Sequence, residues 1–409
     1  MKVFNCRLCN GSLSEPKLKF PPTPLANEFL KEKVEQDLFP LEVCACKSCG
    51  HYQLNEQVDP ERMFRNYLFV AGTSPVNVAH FKKYAEDMVK KFNLKPGSRI
   101  LDIASNDGTL LNEFQKLNMS VLGIDPARNL AKEATKNGIP TISEFFTEEL
   151  ADKLLKQHEQ FDLITANNVF AHIPDMIGFA KGVKKLLKTN GVFSFEVSYF
   201  GDVCDKTLFD TIYHEHTSYH TVTPLSSFFD KLNLELFCVQ RIGNHGGSLR
   251  LFVKNIFAGL KNIDCDVEKK ATIYPICQEE LNISARVRNL KTDIKILGLE
   301  LREIIRDIKT VEQKSIAIYG TPAKATTLMY ALGIKEEWID FAVDDAPLKQ
   351  ETFTPGTQIP VLHPDTILEE NPDYLLVLAW NFADSIIEKC KKAGYKGKFI
   401  IPLPELKVV

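Results

Sequence analysis

RILDIASNDGTLLNEF, residues 99–114, is the stretch on which the fold turns. Ile100 to Ile103 reads as a short apolar strand, Ala104 to Gly108 as a turn of small and polar residues, and a helical pattern enters at about Thr109. Strand, tight loop and helix in this order announce an α/β layer with a parallel sheet. The rhythm repeats downstream. VLGIDPA (121–127) is a second strand ending at Asp125, and FDLITANNVFAHIPD (161–175) carries a further strand over Phe161–Ala166, with Asn167 and Asn168 at its carboxyl end. LLKTNGVFSFEV (186–197) reads as a helix end, a turn at Gly191 and another strand. LELFCVQRIGNHGGSLRLFVKN (234–255) reads as two antiparallel strands around a glycine-rich turn.

This ordered set resembles the class I S-adenosylmethionine-dependent methyltransferases, a Rossmann-like fold closed by an antiparallel hairpin. The hairpin and the absence of GxGxxG separate it from dehydrogenase sheets. The resemblance implies that the loop Ala104, Asn106 and Gly108 passes under the methionine end of the donor. Alanine stands at 104 where the common pattern has glycine. Asp125, followed by Pro126, ends the second strand, where a carboxylate can accept both ribose hydroxyls. Asp102 supports the loop or meets the donor's amino group, and Asn167 and Asn168 complete the donor set.

Five cysteines lie within the first fifty residues. Cys6-Arg-Leu-Cys9 and Cys46-Lys-Ser-Cys49 form two CxxC knuckles, followed by Asn10-Gly11 and by Gly50. Two such knuckles supply four thiolates for one tetrahedral zinc ion. Cys44 is the competing ligand for Cys46, with a less usual CxC bite. Four thiolates leave no open coordination position, so the expected zinc is structural.

The chain has 409 residues, 44% hydrophobic and 25% charged, with a formal net charge of −3. That length predicts more than one core. We read a zinc module over 1–75, a methyltransferase domain over 76–278, and a helical linker with a smaller Rossmann-like α/β domain over 279–409. The linker pattern, LNISARVRNLKTDIKILGLELREIIRDIK (281–309), should pack its apolar face on a neighbouring domain. The charge balance disfavours a nucleic-acid substrate. No apolar run suits a membrane span, the start lacks a signal peptide's apolar core, and the CxxC pairs read as metal ligands rather than disulfides. A cytoplasmic monomer or weak oligomer is expected.

Further motifs narrow the reading. TIYHEHTSYH (211–220), GNHGGSLR (243–250), KATTLMYALGI (324–334) and DDAPLKQETFTPGTQIPV (344–361) follow the knuckles and the donor loop in one order. The series is similar to the bacterial nucleotide-sugar C-methyltransferases with an N-terminal zinc-binding domain. That resemblance implies a nucleoside-diphosphate 4-keto-6-deoxysugar as acceptor, methylated at the carbon beside the ketone, C3 for preference. Such a carbon loses a proton because the enolate spreads its charge onto oxygen. By the same resemblance His216 is the base, with His214 and His220 as alternatives. Glu215 orients it, Tyr213 bonds the sugar, His172 meets the keto oxygen, and Tyr67 reaches in from the zinc module. Glu196 and Ser198 line the sugar pocket, while Asn244, Ser248, Arg250 and Lys324 bind the nucleotide diphosphate. Methylation at C5 or on a heptose, and a zinc-ribbon RNA methyltransferase, are the alternatives.

Overall fold

The computed structural model describes residues 1–243, 246–260 and 263–409. The stretch 99–114 folds as read, into strand Arg99–Ile103 and helix Thr109–Lys116. It sits in the middle of a seven-stranded sheet. From one edge the order is Leu234–Ile242, Ser248–Asn255, Leu187–Ser198, Phe161–Thr165, Arg99–Ile103, Ser120–Ile124 and Thr141–Ile142. Ser248–Asn255 alone runs against its neighbours on both sides. The chain reverses its strand order between Arg99–Ile103 and Phe161–Thr165. The carboxyl ends of those two strands are therefore where a ligand crevice opens. Ile100, Leu101, Leu163 and Ile164 are fully buried, as strands covered on both faces must be.

The expected turn at Gly191 is a bulge instead. Strand pairing already starts at Leu187, opposite Phe161, and then slips so that Val192 faces Leu163. A Cβ on Gly191 would stand 2.9 Å from the Phe161 carbonyl oxygen, so only glycine lets the two backbones close up.

The N-terminal cysteine segment builds a four-stranded sheet, Leu18–Thr23, Phe39–Ala45, Tyr52–Leu54 and Ser218–Tyr219. The last strand comes from TIYHEHTSYH. Tyr219 pairs with Tyr52 and Ser218 with Gln53. The zinc module thus completes its sheet with a strand from the histidine-rich segment.

Two helices, Cys265–Glu280 and Ile283–Thr310, lead to the last sheet. The longer buries Val287, Leu290, Leu297, Leu301, Ile305 and Ile308 along one face, against helices Phe200–Asp205 and Ala323–Leu332. Arg286 makes a forked pair with Asp205 at 2.7 and 2.6 Å, and Arg302 donates to the Leu332 carbonyl at 2.6 Å. The C-terminal sheet has a parallel centre, with Ile316–Tyr319 between Ala342–Val343 and Tyr374–Val377. Among the described residues no helix is long and apolar enough to cross a membrane.

Candidate active site

The crevice is edged by the donor loop. Ala104 takes φ +55°, the left-handed conformation that glycine adopts without strain and that costs an alanine roughly 1 kcal/mol. Asn106 shares that conformation at φ +54°, which its residue type tolerates. Gly108, at φ +80°, precedes the first helical residue. Asp125 Oδ2 accepts from the Asn106 N–H at 2.8 Å and Oδ1 from the Ala127 N–H at 2.7 Å. Each oxygen keeps lone pairs for a diol. Burial pushes the Asp125 carboxyl up to about 6. Asp102 accepts from the Thr165 hydroxyl at 2.6 Å, and burial, with Asp125 nearby, pushes it up to about 7. The Asn167 side-chain oxygen and nitrogen are both buried without a partner, and Asn168 is exposed at φ +57°. A buried amide with nothing to bond costs about 1–3 kcal/mol, and this one stands just past the carboxyl end of strand Phe161–Thr165. Orphaned amide, paired carboxylates and bent loop together fit an adenosyl amino acid.

The donor loop also holds the chain entering from the zinc module. Asn106 accepts from the Ala71 N–H at 2.9 Å and donates to the Phe69 carbonyl at 3.0 Å. Asp107 accepts from the Gly72 N–H at 2.9 Å. The Pro126 carbonyl accepts from Arg65 at 3.5 Å. This clamp delivers Tyr67, whose hydroxyl donates to Glu215 Oε2 at 3.0 Å, while Asn27 donates to Oε1 at 2.7 Å. Burial raises Glu215 to about 7 and holds the Tyr67 phenol well above its usual range.

Geometry separates the three histidines. His214 Nε2 meets the Pro40 carbonyl at 3.1 Å and pins the zinc module. His220 lies in the core, stacked on His51 with ring centroids 5.4 Å apart, and burial lowers it to about 4. His216 Nδ1 lies 2.7 Å from the Thr211 carbonyl oxygen, which accepts only, so Nδ1 carries the proton. Nε2 then accepts from the Tyr213 hydroxyl at 3.1 Å. The His172 ring stands edge-on to His216, centroids 4.7 Å apart. Its Nδ1 is buried without a partner, and burial, with His216 beside it, holds it well below the ordinary histidine range. Tyr213, His216 and His172 form one cluster, and Glu215 with Tyr67 forms a second, tied to it through the backbone of 213–216.

The expected diphosphate cations are already engaged. Arg250 donates to Glu196 at 2.7 Å and lies over the Tyr84 ring at 4.4 Å, only 5% exposed. Glu196 meets His80 Nε2 at 2.8 Å through its other oxygen, so its carboxylate is shared between two neighbours rather than open to a sugar. Lys324 pairs with the buried Asp210 at 3.6 Å and sits 3.7 Å over the Trp380 ring. Burial pushes Asp210 up and Lys324 down, each toward its neutral form. Ser198 and Ser248 face each other across paired strands. Asn244 lies outside the described residues. Sequence reading missed His80, Asn27, Asp210 and Trp380. They carry no motif, and all four meet their partners more than a hundred residues away in the chain.

Cys6, Cys9, Cys46 and Cys49 converge with all Sγ atoms within 4.8 Å of one another. Cys6–Cys49 and Cys9–Cys46 stand at 3.6 and 3.5 Å, near the edge of ~3.8 Å that four bonds of 2.3 Å to a tetrahedral zinc require. The N–H groups of Leu8, Ser48 and Cys49 point at sulfur, as thiolates require. Cys44 is outside the cluster, so Cys46 is the ligand. The site binds structural zinc.

Three family models match in tandem: "Putative zinc binding domain" over 6–64, "Methyltransferase domain" over 78–239 and "C-methyltransferase C-terminal domain" over 243–404. C-methyltransferase NovU of Streptomyces niveus is 32% identical over 415 residues, covering 100% of this chain and 97% of that protein. A ubiquinone biosynthesis O-methyltransferase of Rhodopseudomonas palustris is 33% identical over 111 residues, 26% of this chain and 42% of its own. An S-adenosylmethionine-dependent methyltransferase structure from Clostridium acetobutylicum aligns at 15% identity and TM-score 0.36, covering 44% of this chain and 92% of that one.

Proposed function

Since the chain belongs to the C-methyltransferase family and takes S-adenosylmethionine as donor, we propose that its acceptor is a nucleoside-diphosphate 4-keto-6-deoxysugar, methylated at C3. The observation that carries this reading is the tautomer of His216. With Nδ1–H held by the Thr211 carbonyl, Nε2 presents its lone pair to the Tyr213 hydroxyl, beside a His172 whose Nδ1 is buried without a partner. A neutral imidazole base suits a C–H acidified by a ketone, and an O- or N-acceptor would need less.

The donor supplies an electrophilic sulfonium methyl. Asp125 holds the ribose, Asp102 the amino group, and Asn167 the polar edge of the adenosine. The Ala104–Gly108 loop passes beneath. His216 Nε2 takes the C3 proton, and Tyr213 orients the sugar by its hydroxyl. The electrons move onto the C4 oxygen, where the neutral His172 bonds the developing enolate. The enolate re-forms the ketone as C3 bonds the methyl carbon, and the sulfonium leaves as a neutral thioether. Tyr67, fixed by Glu215, closes the pocket from the zinc-module side. Water stays out because 209–220 is packed between the N-terminal and C-terminal units. We place the protein in the cytoplasm, where thiols stay reduced and a four-cysteine cluster holds its metal.

The test uses a thymidine-diphosphate 4-keto-6-deoxysugar deuterated at C3. The expected product gains a carbon-bound methyl and loses the deuterium. Methyl on oxygen, or methylated product that keeps the C3 deuterium, refutes the reading.

A further inference from the structure

The turn Phe209–Thr211 lies between two grips from the C-terminal unit. On one side of Thr211, Asp210 accepts from the Trp380 indole N–H at 2.5 Å and pairs with Lys324 at 3.6 Å. On the other side, the Ile212 carbonyl accepts from the Thr327 hydroxyl at 2.7 Å. All these groups are buried or nearly so: Asp210 is 0% exposed, Thr327 0% and Trp380 7%. The residue so bracketed presents the carbonyl that accepts the hydrogen bond from His216 Nδ1–H at 2.7 Å. Lys324 packs at 3.7 Å over the ring of Trp380, so ammonium, indole and carboxylate form one closed unit.

A carbonyl that chooses the tautomer of an imidazole must be held in place. If it swings away, Nε2–H becomes the competing tautomer, and the lone pair turns to the wrong nitrogen. Within its own segment the turn has the Thr211 hydroxyl and N–H on the Leu208 carbonyl at 2.8 and 3.2 Å and the Ile212 N–H on the Phe209 carbonyl at 2.9 Å. Phe209 also stacks on Phe20, and the bonds from Thr327 and Trp380 come from 115 and 170 residues further along the chain.

We infer that Lys324, Asp210, Trp380 and Thr327 form an inter-domain lock that positions the Thr211 carbonyl and so keeps His216 Nε2 unprotonated for catalysis. Lys324 is then a positioning residue and not a ligand of the substrate diphosphate. The inference rests on His216 as the base.

Titratable groups around His216 are Tyr213, His172 and His220, with Glu215 next in the chain and Tyr67 upon it. All are left in place by the test. Lys324→Met removes the ammonium. Lys324→Arg keeps the charge and the stacking on Trp380. Asp210→Asn with Lys324→Met leaves no unpaired buried charge and so guards against simple unfolding. In 15N-histidine-labelled full-length protein without ligands, His216 is assigned by His216→Asn. The wild type and Lys324→Arg should show the Nδ1–H tautomer; Lys324→Met and the double variant should show Nε2–H or exchange between the two. Turnover of the 4-keto sugar should fall about tenfold or more in kcat for Lys324→Met and the double variant, with KM within about twofold.

A wild-type tautomer in both variants overturns the lock. So does a KM that rises about tenfold at unchanged kcat, which would make Lys324 a diphosphate ligand. The tautomer is read without substrate. Wild-type protein that shows the Nδ1–H tautomer but does not turn over the sugar would therefore fail the functional reading and leave the lock standing.

Discussion

On the proposed donor site, affinity should rise with pH, because burial pushes both carboxylates, Asp102 and Asp125, toward the protonated form. Burial puts Asp102 at about 7 and Asp125 at about 6. The donor's ammonium and ribose hydroxyls favour both as carboxylates. Binding below these values must therefore first expel protons. At pH 6 about one Asp102 in eleven is ionised, and at pH 7.5 about three in four, a factor of about eight in apparent affinity. Asp125 adds a factor of about two over the same interval. The dissociation constant should thus fall about fifteenfold, or ~1.6 kcal/mol, between pH 6 and pH 7.5. The upper pH stays at 7.5 so that the donor's own amino group remains mostly protonated.

The assay is calorimetric titration with S-adenosylmethionine, repeated in buffers of different ionisation enthalpy to count protons released. Asp102→Asn should bind more weakly at pH 7.5 and keep only the twofold pH dependence. Equal affinity at both pH values in the wild type, or an undiminished slope in Asp102→Asn, refutes the reasoning. The stability consequence has the opposite sign. Each folded-state value lies above the unfolded one near 3.9, so these two groups contribute most to the stability of the donor-free protein below about pH 4. Their contribution is lost as pH rises to about 7, so the stabilisation that the donor adds in thermal melts should grow over the same interval.

Four shorter predictions follow from named contacts. Cys9→Ser should abolish stoichiometric zinc by elemental analysis and lower activity, because the module's sheet carries Ser218–Tyr219 next to the catalytic segment; full zinc content would remove Cys9 from the ligand set. His216→Asn should cut turnover by about a hundredfold or more, whereas His220→Asn should act mainly on the melting temperature; the reverse pattern would reassign the base. Tyr67→Phe loses the bond to Glu215, expected to cost about 0.5–1.5 kcal/mol in kcat/KM at unchanged donor affinity measured by titration. Gly72→Ala places a Cβ 2.6 Å from Asp107 Oδ2 and 2.8 Å from Thr109 Oγ1, so it should weaken donor binding by displacing the loop; an unchanged dissociation constant would deny the clamp between Phe69–Gly72 and the donor loop.

Much of this protein is written locally. The CxxC knuckles are a spacing signal, since two thiolates from one tight turn need only the residues within it. The central strands are a composition signal, since a strand covered on both faces must be apolar throughout. Asp102 and Asp125 follow from their places at strand ends, which chain order alone supplies. For the knuckles and the central strands the sequence was sufficient, except that only the fold excludes Cys44 from the cluster.

The tertiary structure decided the rest. TIYHEHTSYH holds three histidines, of which resemblance prefers His216, and only contacts to Pro40, Thr211, Tyr213 and His51 tell them apart physically. Lys324 and Arg250 read as ligands of the nucleotide diphosphate, yet each meets a buried carboxylate brought from a distant segment, Asp210 and Glu196. A charge's role depends on which opposite charge shares its low-dielectric surroundings, and linear order does not encode that meeting. The same holds for Gly191, read as a turn and found as a bulge, because the strand across from it sets the register.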